Sequence, residues 1–207
     1  ILNKNRIDGI KEAERDGFDT IILDDGFQDY KIKKDLNILC FNQNQLIGNG
    51  LVLPAGPLRE NLSSLNAAHI ILINGKKDDE FEKKILGINK KLEIFYSYYK
   101  PINAEQFKDK KLMAIAGIGN PENFFQLIEE SGLSIEKKAI YPDHYRFTRN
   151  EIQEIEKEAE NKNYQIIMTE KDYFKSKYFN NKIKCLKVSL QIDEKERFIK
   201  TIAKIYD

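Results

Sequence analysis

Two acidic residues follow a short apolar run near the start of the chain, in a position that suits phosphoryl-transfer chemistry. Residues 20–23 (TIIL) lead into Asp24 and Asp25, which begin the segment DDGFQ at residues 24–28. An apolar strand that ends in carboxylates can hold Mg²⁺, because a hard cation prefers carboxylate oxygens on a rigid support. The same letters also suit an ordinary strand-to-turn junction, since Asp-Gly favours turns. At this point the sequence leaves a metal site and a plain turn open.

A second segment has the composition of a shaped loop. Residues 48–60 (GNGLVLPAGPLRE) contain three glycines and two prolines and end close to Arg59. The planar guanidinium of an arginine is suited to phosphate, because its N–H groups form a fork that matches two oxygens. A surface loop with a solvated arginine has the same composition, so the sequence leaves a phosphate-binding loop and a plain surface loop open.

His144 lies in a turn (PDHY, residues 142–145) between a predicted strand and a predicted helix. The other histidine, His69, precedes an apolar run and is predicted to be a structural residue at a strand edge. Lys171 and Asp172 follow a further apolar run, at the edge of a sheet where ligands bind. They also suit helix capping and surface charge, and the sequence does not decide between these roles.

Taken together, these segments resemble the tetraacyldisaccharide 4'-kinase family, and the resemblance spans essentially all 207 residues. The segments that carry it are DDGFQDYKIKKDLNIL (24–39), GNGLVLPAGPLREN (48–61), AGIGNPENFF (116–125), YPDHYRF (141–147) and TEKD (169–172). The resemblance implies ATP-dependent phosphorylation of the 4'-hydroxyl of a lipid-linked glucosamine disaccharide, with ATP and Mg²⁺ as cofactors. It also implies a cytoplasmic enzyme, peripheral to the inner membrane of a Gram-negative bacterium.

The resemblance also implies roles for individual residues. Asp24 and Asp25 correspond to a Walker-B-type acidic pair for Mg²⁺, and His144 corresponds to the histidine of the family's catalytic Asp–His pair. A histidine can orient a carboxylate base and tune its proton affinity. The residues implied for nucleotide binding are Gly26, Gln28 and Arg59.

The arrangement of apolar segments predicts an α/β fold with a mostly parallel sheet, because strand-like and helix-like segments alternate along the chain. Strands are predicted at residues 20–23, 36–41, 70–73, 112–116, 165–168 and near 185–188. Residues 92–99 contain alternating apolar and aromatic residues, a pattern that suits a half-exposed strand or hairpin. Thr148 and Glu151 form a predicted capping box. With the resemblance, the prediction is a P-loop-type lobe over residues 1–95 and a smaller α/β lobe over residues 96–207.

Two departures from the family pattern affect these expectations. Asp29 stands where the family typically has histidine after DDGFQ, which adds negative charge beside the acidic pair. In addition, no G-x-x-x-x-G-K-[ST] segment occurs in the sequence, so the phosphate cradle of a P-loop is absent from these 207 residues. The expectation is an N-terminally truncated copy, without the carboxylate partner of the histidine and without the element that meets the membrane, and inactive by itself.

Composition excludes several other classes. The net charge of +1, from 34 basic and 33 acidic residues, gives no overall field for nucleic acid. The two cysteines form no disulfide framework or zinc pattern, and no apolar run reaches the ~18–20 residues of a membrane span. Two alternatives to the kinase stay open. One is a HAD-like phosphohydrolase with Asp24 as nucleophile, although its Asp-x-Asp spacing is lacking, and the other is a non-catalytic sugar-lipid or nucleotide-binding remnant.

Overall fold

The computed structural model describes residues 1–175, 178 and 180–204, and the chain divides into two compact units. Unit 1 comprises Ile1–Ser97 and the segment from Ile192 onwards, and unit 2 comprises Tyr98–Gln191. Unit 1 contains α1 (Arg6–Arg15), β1 (Ile38–Asn42), β2 (Ile70–Asn74), α2 (Asp79–Ile88), most of β3 (Glu93–Pro101) and α6 (Lys195–Ala203). Unit 2 contains β4 (Leu112–Ala116), α3 (Pro121–Glu130), β5 (Ile135–Ile140), α4 (Arg149–Asn161), β6 (Gln165–Thr169), α5 (Glu170–Tyr173), β7 (Ile183–Leu186) and most of β8 (Val188–Ile192).

The first sheet has the order β1-β2-β3-β8, and its strand β2, which belongs to unit 1, is parallel to both β1 and β3. Four consecutive residues of β2 are buried, which explains its unbroken apolar sequence. Helix α2 begins where the Asp78 carboxylate accepts the N–H of Phe81 at 2.9 Å, and it buries Phe81 and Ile85. Helix α6 packs Phe198 edge-on against Phe95, with ring centroids 5.1 Å apart.

Unit 2 has a second sheet, in the order β5-β4-β6-β7, with all three pairings parallel. Alternate residues of β4 enter different apolar clusters, as strand geometry requires. Ala114 packs in the cluster of Phe125 from α3, whereas Met113 packs in the cluster of Ile152 from α4. The sheet is therefore covered on both faces. The α/β prediction, with mostly parallel sheets flanked by helices, is confirmed.

Strand β4 is the point at which the order of this sheet reverses, because β5 lies on one side of it and β6 on the other. Ligands of open α/β sheets bind beyond the carboxyl ends of the strands at such a switch point. The residues that follow β4 and β6 are Gly117 and the α5 segment. The predicted capping box at Thr148 and Glu151 begins α4 and is confirmed.

The predicted strand at residues 20–23 is wrong. These residues belong to no strand, and Ile22 is 91% exposed. A strand needs a neighbour to accept and donate its backbone hydrogen bonds, and β1 is the edge of the sheet, with β2 as its only neighbour among the described residues. Strand β5 was missed by the sequence analysis because three charged residues interrupt its sequence, IEKKAI, and one of them, Lys137, lies on the half-buried side.

The last helix returns to unit 1 and does not extend the unit that precedes it. The Arg197 side chain donates to the Ile94 carbonyl oxygen at 2.7 Å, and Thr201 donates to the Glu93 carboxylate at 2.8 Å. The predicted lobes over residues 1–95 and 96–207 did not anticipate this return, and as functional lobes they remain a prediction. Among the described residues, no helix is both long enough and apolar enough to cross a bilayer.

Candidate functional site

The predicted metal and nucleotide residues of unit 1 lie mainly in one loop, residues 24–30, here called the acidic loop. Two cationic side chains hold its backbone. The Arg6 guanidinium, from the first turn of α1, donates from Nη2 to the carbonyl oxygens of Asp24 and Asp25, each at 3.1 Å. Helix α1 itself begins where the Asn5 side chain accepts the N–H of Ile7. The capped end of α1 thus fixes the first half of the acidic loop.

Lys34 holds the second half of the acidic loop. Its half-buried ammonium donates to the carbonyl oxygens of Gly26 and Phe27 at 3.1 Å and of Asp29 at 2.7 Å. Three carbonyl dipoles directed at one ammonium surround the cation as solvent would, with no carboxylate needed. The carboxylates of the loop therefore stay available for other partners.

Asp25 is bound by Arg59, which joins the acidic loop to residues 48–60, here called the arginine loop. The Nη1 atom of Arg59 lies 2.6 and 2.7 Å from the two carboxylate oxygens of Asp25. This hydrogen bond and the arginine charge lower the pKa of Asp25 from its ordinary value, and the same contact raises the pKa of Arg59. Both side chains are more than 60% exposed. An exposed pair contributes little to stability, so it is open to exchange for a ligand.

The arginine loop has a tightly determined shape. A Cβ atom added at Gly56 would lie 2.3 Å from the Leu51 carbonyl oxygen, and one at Gly48 would lie 2.6 Å from the Pro57 ring. The Asn49 side chain donates to the Ala55 carbonyl oxygen at 2.9 Å and closes the loop. A second link to the acidic loop accompanies Arg59, because the Tyr30 hydroxyl donates to the Glu60 carboxylate at 2.5 Å.

Gly26 and Gln28 occupy the turn that follows the carboxylates. A Cβ atom at Gly26 would lie 2.7 Å from the Cβ atom of Leu23, so only glycine fits there without displacement. Gln28 is half-buried. Asp29, the departure from the family pattern, lies 3.4 Å from Arg6, which offsets its additional charge. The nucleotide-binding roles of Gly26 and Gln28 remain predictions.

The carboxylates of the acidic loop fit a Mg²⁺ site only in part. Mg²⁺ is usually held by one or two carboxylates together with water and substrate phosphates, which two aspartates can supply. Asp24 is exposed, while both oxygens of Asp25 contact Arg59. Asp25 would therefore have to exchange Arg59 for the cation. No group of three or more His, Cys, Asp or Glu side chains within the described part of the chain is arranged to hold a metal.

The predicted catalytic histidine lies in unit 2, in residues 141–147, here called the histidine turn. His144 has a left-handed backbone, with φ +62°, and a side chain that is 73% exposed. Asp25 shares this backbone type, with φ +50°. Asp and His adopt it more readily than most other non-glycine residues, but it remains uncommon. The rings of Tyr141, Tyr145 and Phe147, whose centroids lie 4.7–5.1 Å apart, pack together and anchor the turn.

Asp143 and Lys171 are the polar neighbours of His144. Asp143 accepts the backbone N–H of His144 at 2.9 Å and lies 3.7 Å from the imidazole Nε2, and Lys171 lies 3.2 Å from its carboxylate. Burial raises the pKa of Asp143, but the hydrogen bonds from Lys171 and His144 outweigh burial and hold that pKa below its ordinary value. The sequence analysis missed Asp143 and the loop anchors Arg6 and Lys34. Of these three residues, only Asp143 had a signal in the sequence, because it is adjacent to His144.

Asp172 has a structural position. It is buried, with 2% exposure, and its carboxylate accepts the Gly117 N–H and the Thr169 hydroxyl, each at 2.8 Å. Lys175 lies 3.3 Å from its other oxygen. These contacts tie the end of β4 to the end of β6. His69 is also structural, as predicted, because its Nδ1 accepts the Asn37 N–H at 2.9 Å.

Comparisons with known proteins agree on one family. The model of the family described as tetraacyldisaccharide-1-P 4'-kinase matches residues 1–207. The tetraacyldisaccharide 4'-kinase of Pelagibacter ubique is 38% identical, covering 98% of this chain and 66% of the relative. That of Francisella tularensis subsp. novicida is 33% identical, covering 86% of this chain and 57% of the relative. The chain thus spans between half and two thirds of the length of these relatives.

A solved structure with a similar fold is LpxK from Aquifex aeolicus in complex with ATP. Its TM-score to this chain is 0.58 at 23% sequence identity, and the match covers 88% of this chain and 56% of that one. At this identity the similarity concerns the fold.

Proposed function

The chain belongs to the tetraacyldisaccharide-1-P 4'-kinase family, and from this membership we propose that it carries the acidic loop and the histidine turn of a lipid A 4'-kinase. The reaction is transfer of the γ-phosphoryl group of ATP to the 4'-hydroxyl of a tetraacyldisaccharide 1-phosphate. The observation that carries the proposal is the contact of Asp25 with Arg59. It joins the two most distinctive motifs of the resemblance, and each contributes a group suited to phosphate or Mg²⁺.

The reaction requires positioning and charge stabilisation more than covalent chemistry by the protein. The hydroxyl oxygen forms a bond to the γ-phosphorus, the bond from that phosphorus to the bridging oxygen breaks, and ADP leaves. The hydroxyl proton passes to a base. His144 is proposed to assist the base that takes this proton, as the histidine of an Asp–His pair. When bound, Mg²⁺ offsets the negative charge of the phosphates.

Arg59 and Asp25 are proposed to part when nucleotide binds. The Arg59 guanidinium would then contact phosphate, and the carboxylates of Asp24 and Asp25 would hold Mg²⁺. Gly26 and Gln28 contribute the nucleotide-facing turn beside them. Because the pair is exposed, replacing its contact by phosphate and cation sacrifices little stability. Arg6 and Lys34 keep the backbone of the acidic loop in place during this exchange.

The proposed substrate is lipid-linked, and the proposed location is the cytoplasmic face of the bacterial inner membrane. A tetraacylated disaccharide keeps its acyl chains in a bilayer, so the enzyme must work at a membrane surface. The remnant and phosphohydrolase alternatives differ from the kinase in their products. A remnant binds without transfer, and a phosphohydrolase releases inorganic phosphate without labelling the lipid.

The test uses a chimaera of this chain with the part of the Pelagibacter ubique relative that lies outside the match. We expect Asp25→Asn to reduce 4'-phosphorylation of the lipid by about 10²-fold, a typical loss for an electrostatic anchor of the transition state, and to shift the Mg²⁺ dependence. The matched control is Glu194→Gln, because Glu194 also binds an arginine with two contacts, each 2.7 Å, to Arg197. Equal activities of the two variants, with the same Mg²⁺ response, would sink the assignment.

A further inference from the structure

The exposed imidazole of His144 has few restraints of its own. Its side chain is 73% exposed, and its Nε2 lies 3.7 Å from the Asp143 carboxylate. The backbone N–H of His144 donates to Asp143 Oδ1 at 2.9 Å. Asp143 therefore holds the left-handed backbone of His144 and faces its ring at the same time.

Asp143 is in turn held by a residue from another element. Lys171 Nζ donates to the same Oδ1 atom at 3.2 Å, across 28 positions of sequence. Lys171 and Asp143 are 49% and 41% exposed, so their contact contributes little to the stability of the fold. Its main effect is on direction, because it limits where the carboxylate beside His144 can point.

Lys171 is placed by the buried end of the second sheet. It lies in α5, whose first turn is capped by the Thr169 hydroxyl, which accepts the Asp172 N–H at 3.1 Å. The Asp172 carboxylate fixes that turn to Gly117 at the end of β4. A chain of contacts thus runs from the core of the sheet through Lys171 and Asp143 to the imidazole.

We propose that Asp143 and Lys171 are positioning residues for His144, with Asp172 as the buried anchor of the arrangement. This inference rests on the proposed catalytic role of His144 and adds the means by which the fold aims it. Asp143 fixes the backbone conformation of His144 and presents a carboxylate to its ring. Lys171 fixes the direction of that carboxylate through the hydrogen bond to its Oδ1 atom.

The chain offers a matched control pair. Lys182 contacts Glu160 with similar exposure, and it lies next to the first residue of β7, at the amino end of the same parallel sheet. Lys182→Met and Lys171→Met each remove one surface ion pair from unit 2. Only Lys171→Met is expected to affect His144.

The first measurement needs no enzyme activity. The chain has two histidines, so the two imidazole Cε1–Hε1 signals of the 207-residue protein are assigned by a single His69→Gln variant. We expect Lys171→Met and Asp143→Ala to move the His144 signal at fixed pH and to leave the His69 signal in place. Lys182→Met should move neither signal.

The second measurement uses the chimaera. Lys171→Met and Asp143→Ala should each lower kcat by about 10-fold or more with KM little changed, since misplacing a catalytic group by about 1 Å can reduce the rate by about 10²-fold. Lys171→Arg, which keeps the cation, should restore most of kcat. Melting temperatures identify any variant that fails to fold. In that case Asp143→Asn, which keeps an oxygen for the His144 N–H but loses the charge, replaces Asp143→Ala.

Two different failures are distinguishable. If His144→Ala lowers kcat while the Lys171 and Asp143 variants keep normal kcat and an unchanged His144 signal, the positioning inference is wrong and the proposed function stands. If His144→Ala itself retains full kcat, the catalytic role of His144 is wrong, and the inference falls with it.

Discussion

At the scale of single residues, the candidate site consists of side chains held in uncommon backbone conformations and left exposed. Asp25 and His144 both have positive φ values, and both side chains are more than 60% exposed. Exposed polar side chains on constrained backbones are available to a ligand without rearrangement of the chain. The cost is local strain, which proteins retain mainly where it serves function.

The His144 role is tested by a substitution that preserves this backbone. We expect His144→Asn in the chimaera to lower kcat by about 10²-fold, the lower range for loss of acid–base assistance, with KM nearly unchanged. Asparagine also accepts a left-handed backbone, so the melting temperature should stay close to that of the unsubstituted chimaera. Asn163, with φ +54° after α4, supplies the control, because Asn163→Gly changes a left-handed residue away from the histidine turn. A less stable His144→Asn variant with normal kcat would show that His144 only packs the turn.

The sequence predicted some residues of the candidate site but not the contacts that hold them. Asp24, Asp25, Arg59 and His144 were predicted because each carries a reactive group within a distinctive motif, and their roles stay predictions. The contact between Asp25 and Arg59 joins residues 34 positions apart, and no local pattern specifies such a pairing. Arg6 and Lys34 bind backbone carbonyl oxygens, which every residue offers equally, so their partners leave no trace in the sequence.

At the scale of elements, the acidic loop is held by Arg6 and Lys34, whereas the sequence analysis expected a strand at residues 20–23 to support it. The apolar run before it predicted a strand because isoleucine and leucine suit buried strands, yet pairing depends on a neighbour that the pattern does not contain. Strands β2, β4 and β6 were predicted because each has an unbroken apolar run. The start of α4 was predicted from its capping box. Charged, half-exposed β5 was not predicted.

The importance of Lys34 can be tested on stability. Lys34→Met removes the ammonium from three carbonyl oxygens. A hydrogen bond to a charged group contributes about 1.5–3 kcal/mol. Because the site is only half-buried, water can solvate the carbonyl oxygens once the ammonium is gone, and we therefore expect a total loss of about 1–3 kcal/mol in unfolding free energy. Lys33→Met, at the exposed neighbouring position, should change the unfolding free energy by less than about 0.5 kcal/mol. Chemical denaturation measures both. Equal effects would mean that Lys34 does not hold the loop.

The capping box that ends the histidine turn should make stability pH-dependent. Hydrogen bonds from the Tyr145 hydroxyl and from Thr148 lower the pKa of Glu151 from 4.5. A carboxyl group with a lowered folded pKa stabilises the fold above its unfolded pKa, and this contribution is lost as pH falls through the folded value. The difference in unfolding free energy between the unsubstituted chain and Glu151→Gln should therefore be constant above pH 5–6 and shrink below about pH 4.5. A difference that grows on acidification would contradict this assignment.

At the scale of the whole molecule, the chain carries two α/β units with different groups of candidate residues. Unit 1 holds the acidic and arginine loops, and unit 2 holds the histidine turn at the carboxyl end of a parallel sheet. The 207 residues contain no G-x-x-x-x-G-K-[ST] segment, and the chain spans 66% of its Pelagibacter ubique relative. A phosphate cradle and a lysine are central to phosphoryl transfer in P-loop enzymes.

The central claim is therefore tested most directly by one transfer assay on two proteins. Radiolabelled γ-phosphate of ATP is supplied with tetraacyldisaccharide 1-phosphate in detergent, and label in the 4'-phosphorylated lipid is counted for the 207-residue chain and for the chimaera. The account predicts that the chimaera labels the lipid and that the 207 residues alone do not. A correctly folded chimaera that releases only inorganic phosphate, or that binds ATP without labelling the lipid, would contradict it.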